Sequence, residues 1–298
     1  MASIRKIVLV ATYNFHGWYK NPRILITFSL AFILCFLLTN KVLKFADSYH
    51  TSMQLVEAFV WTFSDSNSIL LSSLLLVLLF ADIPFLNAGV PFYLVRIDRK
   101  TWLLGQALYI ILATSAYLAF ILGATMLLCQ NDAFVGNIWS ETAAILGYSA
   151  SGQATGLSVT VKTLEMSTPY ACMGTIFALM LLYTLLIAFL MLVLNLLKGQ
   201  IWSVAGVFIF SLYGFLLNPQ LFKTLLNLPD ELMYKANVIV GWLSPLNQAT
   251  YGMHNFGYDL LPRIWQSCAI FVVLILLCYG IAFYATRTYN FHFIGTES

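Results

Sequence analysis

The sequence predicts an all-α integral membrane protein with six transmembrane helices, an amino-terminal interfacial amphipathic helix and a re-entrant outer-leaflet element before the last span. Three observations carry that expectation. The 298 residues are 60% hydrophobic and only 9% charged, against roughly 45–50% and 25% in soluble domains, and mean hydropathy is +0.84. The apolar residues fall in uncharged runs, and about 20 helical residues cross a ~30 Å hydrocarbon core. The few charges lie between those runs, away from the bilayer centre, where each would cost roughly 2.5–3.5 kcal/mol.

Taken in order, Ile4, Val8, Ala11, Phe15 and Trp18 recur at intervals of four and three, the spacing of one helical face. This predicts an amphipathic helix within 1–22 lying in the headgroup plane. The apolar run from Ile7 to Ala11 is too short for a cleavable signal, and Asn21-Pro22 ends the helix. Spans follow near 24–40, 67–88, 102–129, 171–197, 201–218 and 264–286. A short loop at 89–101 separates the second from the third, and a long polar loop at 130–170 separates the third from the fourth. Within that loop 142–161 is rich in Gly, Ser and Thr and reads as a surface helix. The segment 236–258 opens as an apolar helix, breaks at Ser244-Pro245 and continues through Asn247 as a polar stretch. Proline interrupts a helix, and irregular backbone at membrane depth needs protein or a water-filled cavity around it, so Ser244, Pro245 and Asn247 are assigned to a re-entrant gate.

Placing the amino terminus in the cytoplasm puts Arg5, Lys6, Lys20, Arg23, Arg96, Arg99, Lys100, Lys198 and Arg287 inside. Lys41, Lys44, Lys162, Lys223, Lys235 and Arg263 are then outside. The excess of basic residues inside supports that orientation, with both termini cytoplasmic. The block "RIDRK", containing Arg96, Asp98, Arg99 and Lys100, stands out in so apolar a chain. Asp82 reads as the one carboxylate within the apolar segments, an intramembrane acid anchoring local charge or lining a pathway. Scattered cations without a basic run exclude nucleic acid as a partner. Cys35, Cys268 and Cys278 read as buried hydrophobes; Cys129 and Cys172 flank the long loop and could pair.

Neither Gly-x-x-x-x-Gly-Lys-Ser/Thr nor His-Glu-x-x-His occurs in the sequence, so the chain has no phosphate-cradling loop and no zinc-protease motif. His16, His50, His254 and His292 are too dispersed for a metal site. "SASG" at 149–152 with Ser151 and "HNFG" at 254–257 with His254 are similar to the serine and histidine elements of rhomboid intramembrane proteases. Ser149 stands where that family has glycine, and no second glycine follows Gly257 at four residues. A serine protease, or a non-transport scaffold, is thus the alternative.

The order of parts resembles the membrane subunit of a type-2 ATP-binding-cassette exporter. The matching pieces are the helix from Ile4 to Trp18, the segment "YLVRIDRKTWLLGQALY" at 93–109, "YGFLLNP" at 213–219 and "LSPLNQATYG" at 243–252 before the final span. The loop 130–170 is longer than in such permeases. The resemblance implies a permease in a bacterial plasma membrane that works with a second copy or a related permease. A separate ATP-binding cassette ATPase would carry ATP and Mg, with no cofactor on this chain. Arg96, Asp98, Arg99 and Lys100 would couple the two subunits, and Gln106, Tyr109 and Asn195 would turn polar groups toward the pathway.

Overall fold

The computed structural model describes residues 4–84, 96–149, 161–227, 229–257 and 259–289, and the chain is 82% helical with almost no sheet. In chain order the elements are α1 (Ile4–His16), α2 (Pro22–Tyr49), β1 (Met53–Gln54), α3 (Glu57–Phe63), α4 (Ser66–Phe80), α5 (Arg99–Cys129) and β2 (Ala133–Phe134). Then follow α6 (Glu141–Tyr148), α7 (Val161–Met166), α8 (Pro169–Lys198), α9 (Gln200–Leu216), α10 (Pro219–Leu225), α11 (Met233–Leu243), α12 (Pro245–Ala249) and α13 (Ile264–Thr288). Helices α2, α5, α8 and α13 are long and apolar enough to cross a membrane. The count reaches six if each of two bent pairs is one span: α3 with α4, bent by 91°, and α9 with α10, bent by 72°.

Composition alone does not distinguish the crossing helices from one another; packing does. In the most apolar window of α8, 72% of residues are buried, against 17% in α13 and 28% in α2. Helix α8 is the interior post, touched by α13, α9, α5, α3, α4 and α12, whereas α2 and α13 give most of their surface to the surroundings. Local signals set the ends. Asn21 caps α2 by accepting the Arg23 N–H at 3.1 Å, with Pro22 in the first turn, where its missing donor is harmless. Gly199, at φ 92°, lets the chain leave α8 and begin α9 one residue later, a conformation that glycine adopts without a Cβ penalty.

Hydrogen bonds show which helix ends lie together. At one end Arg23 and Gln200 both reach Asp82, Asn195 donates to the Ile83 carbonyl, Lys6 to the Arg96 carbonyl at 3.2 Å, and Arg99 to the Thr286 carbonyl at 2.6 Å. At the other end β1 runs parallel to β2, the Thr51 and Thr142 hydroxyls meet at 2.8 Å, Cys129 donates to the Leu55 carbonyl, and Trp139 donates to the Ser167 carbonyl at 2.7 Å.

Several sequence boundaries shift. The helix within 67–88 stops at Phe80, before Asp82, while residues 85–95, including most of the 89–101 loop, lie outside the described residues. Helix α2 continues well beyond 40, so Lys41 and Lys44 lie on the helix itself. The loop 130–170 contains β2, α6 and α7, and 150–160 are not described. Cys129 and Cys172 are buried and unpaired.

Helix α1 is packed into the bundle. Its Val10, Ala11 and Asn14 are buried against α5, and a Cβ at Gly105 would fall 2.5 Å from the Val10 Cβ. The two helices meet there because position 105 has no side chain. Gly105→Ala is therefore expected to destabilise the fold by about 1–3 kcal/mol through overpacking and to expose α1 to protease. Gly123→Ala, on the same helix with nothing within 4 Å of its Cβ, should be neutral or slightly stabilising. Thermal unfolding in detergent and limited proteolysis of the two variants provide the comparison.

Candidate functional site

The charged end is built around Asp82. Its helix has already ended, and its carboxylate receives the Arg23 guanidinium from the start of α2 and the Gln200 amide, at 2.8 Å, from the start of α9. With the side chain 36% exposed, Asp82 is a node between three segments at the bundle end and is not immersed in the interior. The contact supplies register more than stability, since exposed ion pairs contribute about 0–1 kcal/mol.

The block 96–100 forms the entrance to α5. Asp98 is its N-cap residue, without a side-chain capping bond, and Arg96, Asp98, Arg99 and Lys100 are all exposed. The four are not equivalent. Arg99 donates to the carbonyls of Thr286, Arg287 and Tyr289, neutralising the carbonyl end of α13, so it braces the fold. Arg96, Asp98 and Lys100 form no ion pair with any described residue within 4 Å. Lys6 ties α1 to this block through the Arg96 carbonyl.

The polar groups expected to face a pathway do something else. Gln106 is fully buried and accepts the Asn14 amide at 2.9 Å, while Tyr109 accepts the Trp18 indole N–H at 2.9 Å. Both are spent on fastening α1 to α5. Asn195 donates to the Ile83 carbonyl, fastening α8 to the turn after α4.

At Ser244-Pro245 the chain breaks as α11 gives way to α12. Ser244 is fully buried in extended conformation (ψ 114°), donates to the Gly214 carbonyl of α9 at 2.9 Å and accepts the Asn247 N–H at 3.3 Å. A Cβ at Gly214 would lie 3.1 Å from the Leu246 Cβ, so α12 sits tightly on α9. Pro245, in the first turn of α12, occupies a position that proline favours; the Ser244 hydroxyl is what ties the break to the bundle. Ser244→Ala is expected to cost about 1–2 kcal/mol, losing a cap and an inter-helix hydrogen bond. Pro245→Ala should cost less, and unfolding midpoints of the two variants give the order.

Beyond the break, His254 is buried, with Nδ1 facing the Thr250 and Tyr251 carbonyls and Nε2 at 3.0 Å from the Ser267 hydroxyl. Ser267 begins α13 and was passed over in the sequence reading. Ser151 lies outside the described residues, and the described contacts of His254 pin the 251–254 turn to α13.

Among the described residues the buried acid is Glu57, not Asp82. It lies on α3, which forms a bent pair with α4, and all seven residues of α3 are buried. Glu57 Oε1 accepts the Ser140 N–H at 2.8 Å and Oε2 the Ser140 hydroxyl at 2.5 Å, while Trp61 stacks on Trp139 at 5.0 Å. Two chain segments 83 residues apart are thereby clasped. A single carboxylate inside "VEAFVWTF" is the sequence signal that could have drawn attention to it.

The clasp has a cost that mutation can read. Glu57→Gln keeps an oxygen to accept one Ser140 donor and should cost about 1–2 kcal/mol, whereas Glu57→Ala leaves both Ser140 donors unpaired in a buried site and should cost about 2–3 kcal/mol. Unfolding midpoints of the two variants in detergent give the order, and equal midpoints for wild type and Glu57→Ala would dismiss the clasp.

The chain was compared with known protein families, curated proteins and solved structures, and it matches none of them.

Proposed function

We propose that this chain is the permease subunit of an ATP-driven exporter in the plasma membrane, lining the pathway as a dimer with a second copy or a related permease, and powered by separate ATP-binding subunits. The observation that carries the reading is the exposed block Arg96, Asp98 and Lys100 at the mouth of a 31-residue helix, braced from two sides by α1 and α13. Supporting it are the order of parts and the broken element at 243–252 before the last crossing. No nucleotide-binding motif occurs in the sequence, so ATP and Mg belong to the partner.

In this reading α2, α4, α5, α8, α9 and α13 make six crossings, with α3 and α12 lying at the far end. The basic end is cytoplasmic, as the positive-inside bias favours. A push on the block moves α5, and α1 travels with it through Lys6, Asn14 and Trp18. Arg99 passes part of that motion to α13. Fixed charges suit such a contact because they orient a partner and exclude wrong ones.

The reading requires a cassette ATPase that co-purifies with this chain, and the test uses that subunit. Asp98→Lys adds positive charge, preserves the orientation bias and should lower ATPase co-purification and coupled ATP hydrolysis about tenfold, with insertion normal. Coupling equal to wild type in Asp98→Lys and in Arg96→Gln would remove the docking role. Impermeant maleimide applied outside cells should label a single cysteine at 47 and not at 98; the reverse pattern would overturn the orientation.

A further inference from the structure

We infer that the groove between the start of α5 and the end of α13 is a binding site for the phosphate headgroup of an anionic phospholipid, whose chain lies along α13. The groove has a volume of about 510 Å³ and is lined by Asp98, Arg99, Lys100, Phe283, Thr286 and Arg287. Lys100 and Arg287 converge on one phenyl ring, with the Lys100 ammonium 5.6 Å and the Arg287 guanidinium 5.4 Å from the Phe283 centroid. The ring face attracts each cation, and an anion in the groove would offset the positive charge that the two bring to it. Neither cation has an ion pair with a described residue, and Asp98, on the same wall, is not within 4 Å of either. Arg99 is held by the α13 carbonyls, which fixes the two walls relative to each other.

The membrane side of the groove distinguishes a lipid from a soluble anion. Val273, Leu277, Ile281 and Tyr284 are all exposed and follow one another at intervals of three and four, so they form a single stripe along α13 that ends at Arg287. Tyr284 sits at the level where aromatic residues mark the membrane interface, and the Arg287 guanidinium lies 6.0 Å from its ring. Acyl chain on the stripe and phosphate among the cations match a two-part ligand; basic pockets between helix ends recognise lipid headgroups in this way. A groove of similar volume at the opposite end has Asp47 and neither Lys nor Arg in its lining, whereas this one has three cations beside Asp98. The assignment does not depend on what the protein transports.

The full chain, purified in mild detergent, is titrated with phosphatidylglycerol or phosphatidylcholine and the bound lipid is counted by native mass spectrometry. Wild type should prefer phosphatidylglycerol on the order of tenfold, since each surface cation contributes modestly to holding an anionic lipid. Lys100→Gln with Arg287→Gln should abolish the preference, whereas Lys198→Gln, a cation over Trp202 outside the groove, should retain it. Equal binding of the two lipids by wild type would overturn the site, as would a preference that survives the double variant or is lost equally with Lys198→Gln. Inorganic phosphate and glycerol phosphate form the second arm. If either displaces the lipid at equal concentration, the groove is an anion site without lipid selectivity and the inference fails; if neither does, the acyl stripe contributes as proposed.

Discussion

A polar group inside a hydrocarbon medium must find its partner within the protein, and that requirement arranges most of this structure. Thr27, Thr39, Ser115, Thr175 and Thr184 each return their hydroxyl to the carbonyl four residues earlier, so they cross the apolar region without needing water. The central helix α8 carries almost no polar side chain between Thr184 and Asn195 and is surrounded by other helices. Other polar groups find partners across helices, as Tyr117 does at the Ser72 carbonyl and Ser203 at the Met191 carbonyl, while the charged ones gather at the two ends, where the chain can turn. The Arg23–Asp82–Gln200 node and the Glu57–Ser140 clasp are the two results. The first is wet and adds mainly register; the second is dry, and both of its carboxylate oxygens are taken by Ser140.

How far the sequence revealed this follows from what burial needs. Long uncharged runs marked α2, α5, α8 and α13, because length and hydropathy are properties of a segment by itself. The bends after Phe63 and Leu216 were not legible, since a kink depends on what the short helix α3 or α10 meets after turning. Glu57 stands in an apolar run, but its partner Ser140 is distant in sequence, and only tertiary contact shows that the carboxylate is enclosed. The faces of Gln106 and Tyr109 are not assignable from sequence for a complementary reason. Polar groups on an apolar helix suggest a pathway, but α1 approaches α5 at Gly105 and takes both.

The candidate site shows the same division. The cluster Arg96, Asp98, Arg99 and Lys100 was evident as an excess of charge in an apolar chain, whereas the different employment of its members was not. Arg99 is distinguished from its neighbours by the carbonyls at the end of α13, 187 residues away, and no local pattern encodes that. At Ser244-Pro245 the proline announced the break, while the residue that fastens it is the serine beside it, through Gly214 on another helix.

These attachments constrain how any force at the charged end could travel. Helix α5 has 31 residues, about 46 Å at 1.5 Å per residue, and it joins the block 96–100 to the region where Cys129 meets Leu55 and β1 meets β2. At its first turns it carries α1 and grips α13; along its length it packs on α2 and α8. A tilt of α5 therefore cannot be absorbed at the charged end alone, because Arg99 and Lys6 move with it and interiors packed this closely do not compress. The displacement must reappear at the far end, where the Glu57–Ser140 clasp joins the segments following α2 and α5. That clasp is buried with no cationic partner among the described residues, and it is the contact through which a displacement of α5 would reach the segment that follows α2.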